Sequence, residues 1–348
     1  MDCRGSLSLV GPKVTLGVLA ERTGFDKSTI SRALRNDPTL SIRAENLALI
    51  KRTAEELGYR PDPAGRSLKA SRSYALGAVV PSLQNQIHAQ IVEGAQSACL
   101  AAGYSLLVVN AEPGRPQREL YRQLVEKHRV EGLLVLTLQN EAVELPELTA
   151  LGVPVVMVNR RSEGFGNFVV VAERAGGELA TSYLIDIGHR RIAHLSGEIG
   201  RFNAGERFQG YRDALEKSGI VYDPDLVEPA GYSFEQGAAA MERLLDRCQG
   251  RFTAVFVVTL LAAAGAISVL RKRGVAVPGD VSVMAFHDGL LARAISPTLT
   301  TIAYPLVDMG EAAAKGMIDI LEKRRTAITT TFAEGRVVER ESTAPIRL

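Results

Sequence analysis

Short apolar runs recur from residue 75 onwards, and segments of helical length separate them. A parallel sheet covered by helices on both faces needs strands of this kind, because neither face of such a strand meets water. One series of runs is followed by a second: Ala75–Val80, Tyr104–Val109, Gly132–Thr137 and Val153–Val158, then Phe168–Val171, Arg191–Leu195, Val227–Ala230, Thr253–Val258 and Val281–Ala285. The repetition predicts an α/β fold with two similar lobes, each built on a doubly wound parallel sheet.

The sequence before this region follows a helix-turn-helix pattern. Gly24 can adopt the positive φ that ends one helix, and Asp26 can accept hydrogen bonds from the free amides that begin the next. Ile30 and Leu34 are four residues apart and predict the buried face of the second helix. Its outward positions carry basic and hydroxyl groups that suit the major groove of DNA: Lys27, Ser28, Thr29, Ser31 and Arg32. The alternative is an ordinary helical hairpin with a solvated charged face.

A third helix completes a small basic head. Apolar residues at spacings of three and four between residues 47 and 57 predict this helix, and Thr15 is the candidate cap of the first one. Three helices around one apolar centre make a minimal DNA-binding headpiece, expected over residues 1–60. Residues 1–72 hold 13 Lys or Arg and 8 Asp or Glu, a net charge of +5, whereas the whole chain carries +2. A basic end of this kind favours a nucleic acid partner.

Several motifs in this head and beyond it carry a family resemblance. Val14-Thr15, Thr29-Ile30-Ser31-Arg32 and Glu56-Leu57-Gly58-Tyr59-Arg60-Pro61 follow one another, and Pro63-Ala64-Gly65-Arg66-Ser67-Leu68 comes next. In these motifs, and over nearly its whole length, the chain resembles the lactose/galactose repressor (LacI/GalR) family of bacterial transcription factors. The resemblance implies a core of periplasmic-binding-protein type over residues 74–348. The residue chemistry and the resemblance together give the candidate DNA-binding residues: Thr15, Leu16, Lys27, Ser28, Thr29, Ser31, Arg32, Arg35, Tyr59 and Leu68.

Residues 61–73 are the predicted hinge between head and core. Two prolines and several small residues make any helix in this segment marginal by itself. The resemblance implies a hinge helix that pairs with its dimer mate over the minor groove, with Leu68 wedged between base steps. The alternative is a plain basic linker in which Leu68 touches the core.

The resemblance also implies how the core divides. The first lobe is expected at about 74–171 plus 304–332, and the second at about 172–302 plus 333–342. In open α/β sheets ligands bind beyond the carboxyl ends of the strands, and a cleft between two lobes is the default site. The candidate effector-binding residues are Asn85, His88, Asn159, Arg160, Arg207, Thr259 and His287.

The chemistry of these residues bears on the effector. Arg207-Phe208-Gln209-Gly210-Tyr211 is similar to the family's Arg-x-x-Gly-aromatic motif, and Asn159-Arg160 is similar to its Asp-Arg. Thr259-Leu260 stands where sugar-responsive members usually have Asn-Asp, and His287 stands at the first aspartate of Gly-Tyr/Phe-Asp-Asp. Losing these groups disfavours a polyhydroxylated sugar, because a buried unpaired hydroxyl costs about 1–3 kcal/mol.

Guanidinium groups suit a carboxylate or a phosphate, so Arg160 and Arg207 predict a less hydroxylated, anionic effector. Two alternatives stay open. Both arginines could pair with acidic residues across the lobe interface, or the regulator could respond to a sugar.

Other classes of protein find little support in the sequence. There is no Gly-rich phosphate loop, Gly-x-Ser-x-Gly elbow or His-Glu-x-x-His motif, so an enzyme is not expected. The three cysteines lie far apart, so no disulfide framework, metal site or cofactor is expected. No apolar run approaches the ~20 residues that span a bilayer, and residues 1–13 lack the apolar core of a secretory signal. A cytoplasmic protein without a membrane partner is therefore expected.

The sequence thus predicts a DNA-binding transcriptional regulator, a repressor controlled by a small-molecule effector between two lobes. One headpiece reads few base pairs, so a homodimer on a pseudopalindromic operator of double-stranded DNA is expected. An effector that prefers one relative orientation of the lobes would change the distance between the two hinges and shift the DNA-binding population. The alternative is a solute-binding protein, which explains residues 74–340 but not the basic head.

Overall fold

The computed structural model describes residues 14–34, 37, 39–59, 72–111, 117–126, 128–138, 140–162, 164–248 and 250–346. They form two compact units that divide between Arg72 and Ser73. None of the helices in these ranges combines the length and the apolarity that a bilayer-spanning segment needs.

The first unit is a bundle of three helices. They are α1 (Leu16–Thr23), α2 (Lys27–Leu34) and α3 (Ala44–Glu56). Leu19, Ile30 and Ile50, one from each helix, are fully buried at the centre of the bundle. The apolar periodicity therefore predicted the packed faces of α2 and α3 correctly.

The turn between α1 and α2 follows the prediction in two of three respects. Gly24 ends α1 with φ 75°, and the Asp26 carboxylate accepts hydrogen bonds from the amides of Ser28 and Thr29, both at 2.9 Å. Thr15 occupies the N-cap position of α1, but its side chain makes no capping hydrogen bond. The predicted capping role of the Thr15 side chain is therefore wrong.

The described residues of the second unit form two sheets of six strands each. The first sheet has the order β11-β5-β4-β3-β1-β2, with every neighbouring pair parallel. Its strands are β1 (Ala75–Val80), β2 (Ser105–Asn110), β3 (Gly132–Val135), β4 (Val155–Val158), β5 (Phe168–Val171) and β11 (Thr329–Phe332). The helices of this lobe are α4 (Gln86–Ala101), α5 (Gln117–Val125), α6 (Glu141–Ala150) and α12 (Leu306–Leu321).

The second sheet has the order β12-β10-β9-β8-β6-β7. Its strands are β6 (Ile192–Ser196), β7 (Val227–Pro229), β8 (Ala254–Val257), β9 (Ser282–Phe286), β10 (Thr300–Ala303) and β12 (Arg336–Val338). The helices of this lobe are α7 (Glu173–Asp186), α8 (Phe202–Lys217), α9 (Phe234–Cys248), α10 (Leu260–Lys272) and α11 (Leu290–Ala294), with a 3-10 turn at Pro224–Leu226.

The chain passes between the two lobes three times, after Val171, after Ala303 and after Phe332. The predicted α/β fold with two doubly wound lobes is confirmed, with one difference. The edge strand β12 runs antiparallel to β10, an arrangement that is common at the edge of a parallel sheet. Because β12 has only three residues, its apolar pattern could not predict its direction.

Candidate functional site

A cavity of about 450 Å³ lies between the two lobes, at the carboxyl ends of the strands. This volume falls in the range of sites that hold small molecules. The cavity wall contains every residue that the sequence proposed for effector binding: Asn85, His88, Asn159, Arg160, Arg207, Thr259 and His287. The structure therefore brings these residues together from both lobes.

Arg207 of α8 is the most fully engaged side chain of this wall. Its Nε and Nη2 atoms donate to the two carboxylate oxygens of Glu173 at 2.5 and 3.1 Å. Nη1 donates to the carbonyl oxygen of Val258 at 2.9 Å, and Nη2 also donates to Nε2 of His287 at 3.2 Å. The guanidinium carbon lies 3.9 Å from the ring centroid of Phe286. Burial raises the pKa of the Glu173 carboxyl, and the charge of Arg207 opposes that rise.

The other two arginines of the wall are also paired. Arg160 forms an ion pair with Glu141, and Arg201 forms one with Glu198. Both arginines also donate to the carbonyl oxygen of Leu138, at 3.4 and 2.9 Å. Each guanidinium in the described wall of the cavity therefore has a carboxylate beside it.

These ion pairs bear on the prediction of an anionic effector. The alternative expected Arg160 and Arg207 to pair with acidic residues across the lobe interface. Both arginines do pair with acidic residues, but each pair forms within one lobe, so the expected position of the pairs is wrong. A guanidinium whose charge is already balanced by a carboxylate offers little net attraction to a second anion. The ion pairs therefore weaken the argument for an anionic effector, which stays a prediction.

Two residues of the wall have unusual backbone conformations. Asn159 has φ 55° and His287 has φ 68°. Asparagine enters the left-handed region readily, whereas a histidine there carries a cost of order 1–3 kcal/mol that the surrounding structure must offset. Strained residues of this kind are concentrated at functional sites.

The same wall contains buried polar atoms that lack partners among the described residues. They are Oδ1 of Asn159, Nε of Arg160 and Nδ1 of His287. Most buried polar atoms in proteins are hydrogen-bonded, so these atoms form a part of the wall that can offer hydrogen bonds to a polar ligand.

Three other predicted residues have structural partners as well. The Asn85 side chain accepts a hydrogen bond from the amide of Ile87 at 3.2 Å and caps α4. Thr259 accepts one from the amide of Ala262 at 3.3 Å and caps α10. Nδ1 of His88 donates to the Ser82 carbonyl at 2.9 Å, and burial lowers the pKa of this imidazole.

Several hydrogen bonds join the two lobes. Nδ2 of Asn203 donates to the carbonyl oxygen of Asn159 at 2.6 Å, beside the bond from Arg201 to Leu138. Elsewhere Nε2 of Gln90 on α4 donates to the carbonyl oxygen of Asp288 at 3.2 Å. Because these bonds connect different lobes, any change in the lobe orientation must break or rebuild them.

Several wall residues were missed at the level of sequence. Thr137 and Tyr232 follow β3 and β7, so the rule of carboxyl strand ends would have found them. Arg201 and Asn203 lie at the start of α8 and reach the other lobe. Their role depends on how the lobes meet, for which the sequence has no local signal.

The first unit presents the candidate DNA-binding residues unevenly. Lys27 and Ser28 are exposed at the start of α2, and Thr29 is partly exposed. The hydroxyls of Ser28 and Thr29 donate to the Asp26 carboxylate at 2.6 and 2.5 Å. These hydrogen bonds hold the pKa of Asp26 well below its ordinary value. The two hydroxyl oxygens keep their lone pairs available to a partner.

Arg32 also has partners within the unit. Its Nε donates to Asp37 at 2.8 Å and its Nη2 donates to Thr39 at 2.9 Å. These contacts fix the direction of the guanidinium, which is still partly exposed.

The remaining candidates are divided among three settings. Thr15 is exposed and Ser31 is partly exposed, whereas Leu16 and Tyr59 pack against the apolar centre of the three helices. The predicted positions Arg35 and Leu68 lie outside the described residues, as does most of the predicted hinge.

Comparisons with known proteins agree with this architecture. Residues 181–343 match the periplasmic binding protein-like domain. The chain is 31% identical over 333 residues to the HTH-type transcriptional repressor PurR of Erwinia tasmaniensis, across 95% of this chain and 97% of that protein. It is similar to the solved complex of the transcriptional regulator CelR with cellobiose, with 29% identity, a TM-score of 0.73, and coverage of 95% of this chain and 100% of CelR.

A LacI family transcriptional regulator from Mycobacterium smegmatis has 32% identity and a TM-score of 0.71, across 78% of this chain and 99% of that one. The helical head, the two-lobed core and the extent of these similarities lead to one conclusion. The chain belongs to the LacI family of transcriptional regulators.

Proposed function

We propose that this regulator is a homodimeric repressor whose affinity for a pseudopalindromic operator depends on a small molecule bound between the lobes. The observation that carries the proposal is the cavity between the lobes, on a chain whose separate head exposes a basic helix. A solute-binding protein would need the cavity but not the head.

The exposed start of α2 supports DNA recognition. Lys27 can reach a phosphate or the acceptor edge of guanine, and the hydroxyls of Ser28 and Thr29 can contact a base edge. Arg32, held by Asp37, is suited to a phosphate or a guanine. A two-fold dimer would present two such helices to the two half-sites of an operator.

The cavity supports a neutral effector. Its three arginines are balanced by Glu141, Glu198 and Glu173, and apolar side chains such as Leu136 and Phe202 contribute to its wall. A neutral molecule with a few polar groups would bury its surface here without bringing an unbalanced charge. The complex of CelR with cellobiose supports a sugar as the second candidate.

Effector and DNA would be coupled through the lobe contacts. The effector would favour one arrangement of the hydrogen bonds that join the lobes, such as the bond from Asn203 to Asn159. In the dimer this choice would set the distance between the two chains where they leave the core near residue 72. The predicted hinge, with Leu68, would then pair on the minor groove or separate, and the shift is limited by the effector's differential affinity for the two states.

The DNA-binding part is tested by selecting operators for the full chain from a random duplex pool and measuring affinity against salt. We expect log affinity to fall linearly with log salt. Lys27→Ala should reduce the slope by about one phosphate contact or relax the selected sequence at one position. Lys272→Ala, at an exposed lysine in the second lobe, is the matched control. No enrichment from the pool, or binding that ignores salt, would favour the solute-binding alternative.

The effector part is tested by calorimetry of the full chain with cellobiose, ribose, benzoate and phosphate. We expect any binding to be restricted to the neutral compounds and to be weakened by Asn203→Ala, which removes one bond between the lobes. Tight binding of benzoate or phosphate would contradict a neutral effector.

A further inference from the structure

A buried line of contacts runs from Glu173 through Arg207 to His287 at the cavity wall. All three residues are at most 3% exposed. The two ends of the line differ, because Glu173 lies beside α8 whereas the His287 ring lines the cavity. Glu173 therefore holds Arg207 in position, and Arg207 in turn holds His287, a residue that an effector in the cavity can contact.

The bond between Arg207 and His287 determines where the imidazole carries its proton. A guanidinium has only donors, so Nε2 of His287 must accept the bond of 3.2 Å from Nη2. A neutral imidazole that accepts at Nε2 carries its hydrogen on Nδ1. A doubly protonated ring would place an N–H against the N–H of Arg207 and a second cation beside it.

The orientation of the ring is fixed as well. The His287 ring stands edge to face with Phe286, with 4.7 Å between centroids, and edge to face with Tyr304, with 6.4 Å between centroids. The backbone of His287 is left-handed, with φ 68°. Its Nδ1 is buried and has no hydrogen-bond partner among the described residues. The ring is therefore a positioned donor that no described side chain or backbone group uses.

Two further orphaned atoms complete the pattern of the wall. Nε of Arg160 is a second donor, and Oδ1 of Asn159 is an acceptor. A ligand that satisfied all three would supply two acceptors and one donor. A carbonyl or ether oxygen can be the acceptor, and an N–H or O–H group can be the donor. An amide combines an acceptor and a donor in one neutral group.

We infer that Glu173 and Arg207 are positioning residues that hold His287 as an Nδ1–H donor, and that the effector is a neutral carbonyl-bearing or ether-bearing molecule whose oxygen accepts from it. The part of the inference that concerns an effector rests on the proposed function. The tautomer of His287 can be tested independently of DNA binding.

The tautomer is tested by solid-state 15N NMR of the full chain labelled only at its five histidines. The His287→Gln spectrum identifies the two ring resonances of His287. We expect Nδ1 at the protonated position and Nε2 at the unprotonated position at pH 7. A ring protonated on Nε2, or on both nitrogens, would overturn the inference.

The role of Glu173 is tested by variants of α7. Glu173→Gln should move the His287 resonances or mix the two tautomers, and Glu173→Asp should restore part of the wild-type pattern. Glu178→Gln, at a half-exposed glutamate of the same helix that pairs with Lys217, should leave the resonances unchanged. Unchanged His287 resonances in a folded Glu173→Gln protein would show that Glu173 does not position His287. If that variant does not fold, Glu173→Asp decides the role of Glu173, because a shorter carboxylate that no longer holds Arg207 as closely should move the His287 resonances and unchanged resonances would contradict the role.

The ligand class is tested with benzamide and benzoate, which share a shape and differ in charge. We expect millimolar benzamide to shift the His287 Nδ1 resonance, with an affinity at least about tenfold above that of benzoate. An equal or larger response to benzoate, or no response to either compound, would overturn the assignment of a neutral acceptor. Operator binding measured on the same protein separates this failure from a failure of the proposed function.

Discussion

Gly177 of α7 lies directly against the main chain of Arg207 on α8. A Cβ on Gly177 would stand 2.3 Å from the carbonyl oxygen of Arg207, and one on Gly210 would stand 2.0 Å from that of Arg174. The two glycines allow the helices to approach closely, and this spacing brings Glu173 within reach of Arg207.

Gly177→Ala should therefore push the two helices apart and loosen the ion pair behind the cavity. We expect the free energy of unfolding to fall by about 1–3 kcal/mol or more, the usual cost of overpacking, as measured by urea denaturation. Gly166→Ala is the control, because no atom lies within 4 Å of its added Cβ. Equal losses in the two variants would contradict the close-approach explanation.

Glu173→Ala should destabilise the second lobe, because it leaves the Arg207 guanidinium buried without a counter-charge. Breaking a buried pair in this way costs about 3–5 kcal/mol, again measured by denaturation. The double change Glu173→Leu with Arg207→Met should recover much of that loss. Glu126→Ala, which breaks the exposed pair with Arg122, should have no measurable effect. A double variant as unstable as the single one would contradict the expectation.

The stability of the chain should fall as the pH drops from about 6.5 to about 4. His194 is fully buried between aromatic rings, and burial lowers its pKa to about 4. The unfolded chain binds this proton at an ordinary histidine pKa, so it takes up more protons than the folded chain in that window, and folding loses up to about 3 kcal/mol.

This pH dependence is measured as the free energy of unfolding at pH 7 and pH 5. His194→Phe should reduce the difference, because it removes one of the buried imidazoles whose pKa burial lowers. His128→Asn, at an exposed histidine, should leave the difference intact. An unchanged pH difference in His194→Phe would show that His194 protonates without cost.

Asp26→Ala should loosen the start of α2, where the exposed candidates for DNA contact lie. The Asp26 carboxylate accepts the amides and the hydroxyls of Ser28 and Thr29. We expect faster hydrogen–deuterium exchange in α2 of the full chain and weaker operator binding, with Asp26→Asn intermediate. Glu21→Ala, at an exposed acid of α1, is the control. Unchanged exchange in Asp26→Ala would mean that the cap does not hold the helix.

Much of this molecule followed from local sequence. The spacing of Gly24, Asp26 and Ile30 was sufficient to predict the helices of the head, because helix caps and apolar faces depend on neighbours within one or two turns. The apolar runs predicted the strands. The residues that follow the carboxyl ends of these strands include His287 and Asn159, and they were predicted as site residues because parallel sheets bind ligands at that edge.

The electrostatics of the cavity depended on tertiary structure. Arg160 and Arg207 suggested an anion while their partners were unknown, but Glu141 and Glu173 lie 19 and 34 residues away along the chain and meet them only in the folded lobes. The hydrogen bond from Asn203 to Asn159 and the tautomer of His287 also depend on contacts between residues that are distant in sequence. Charge balance and proton position depend on atoms a few ångströms apart in space, and no local pattern in the sequence encodes which distant side chains will supply them.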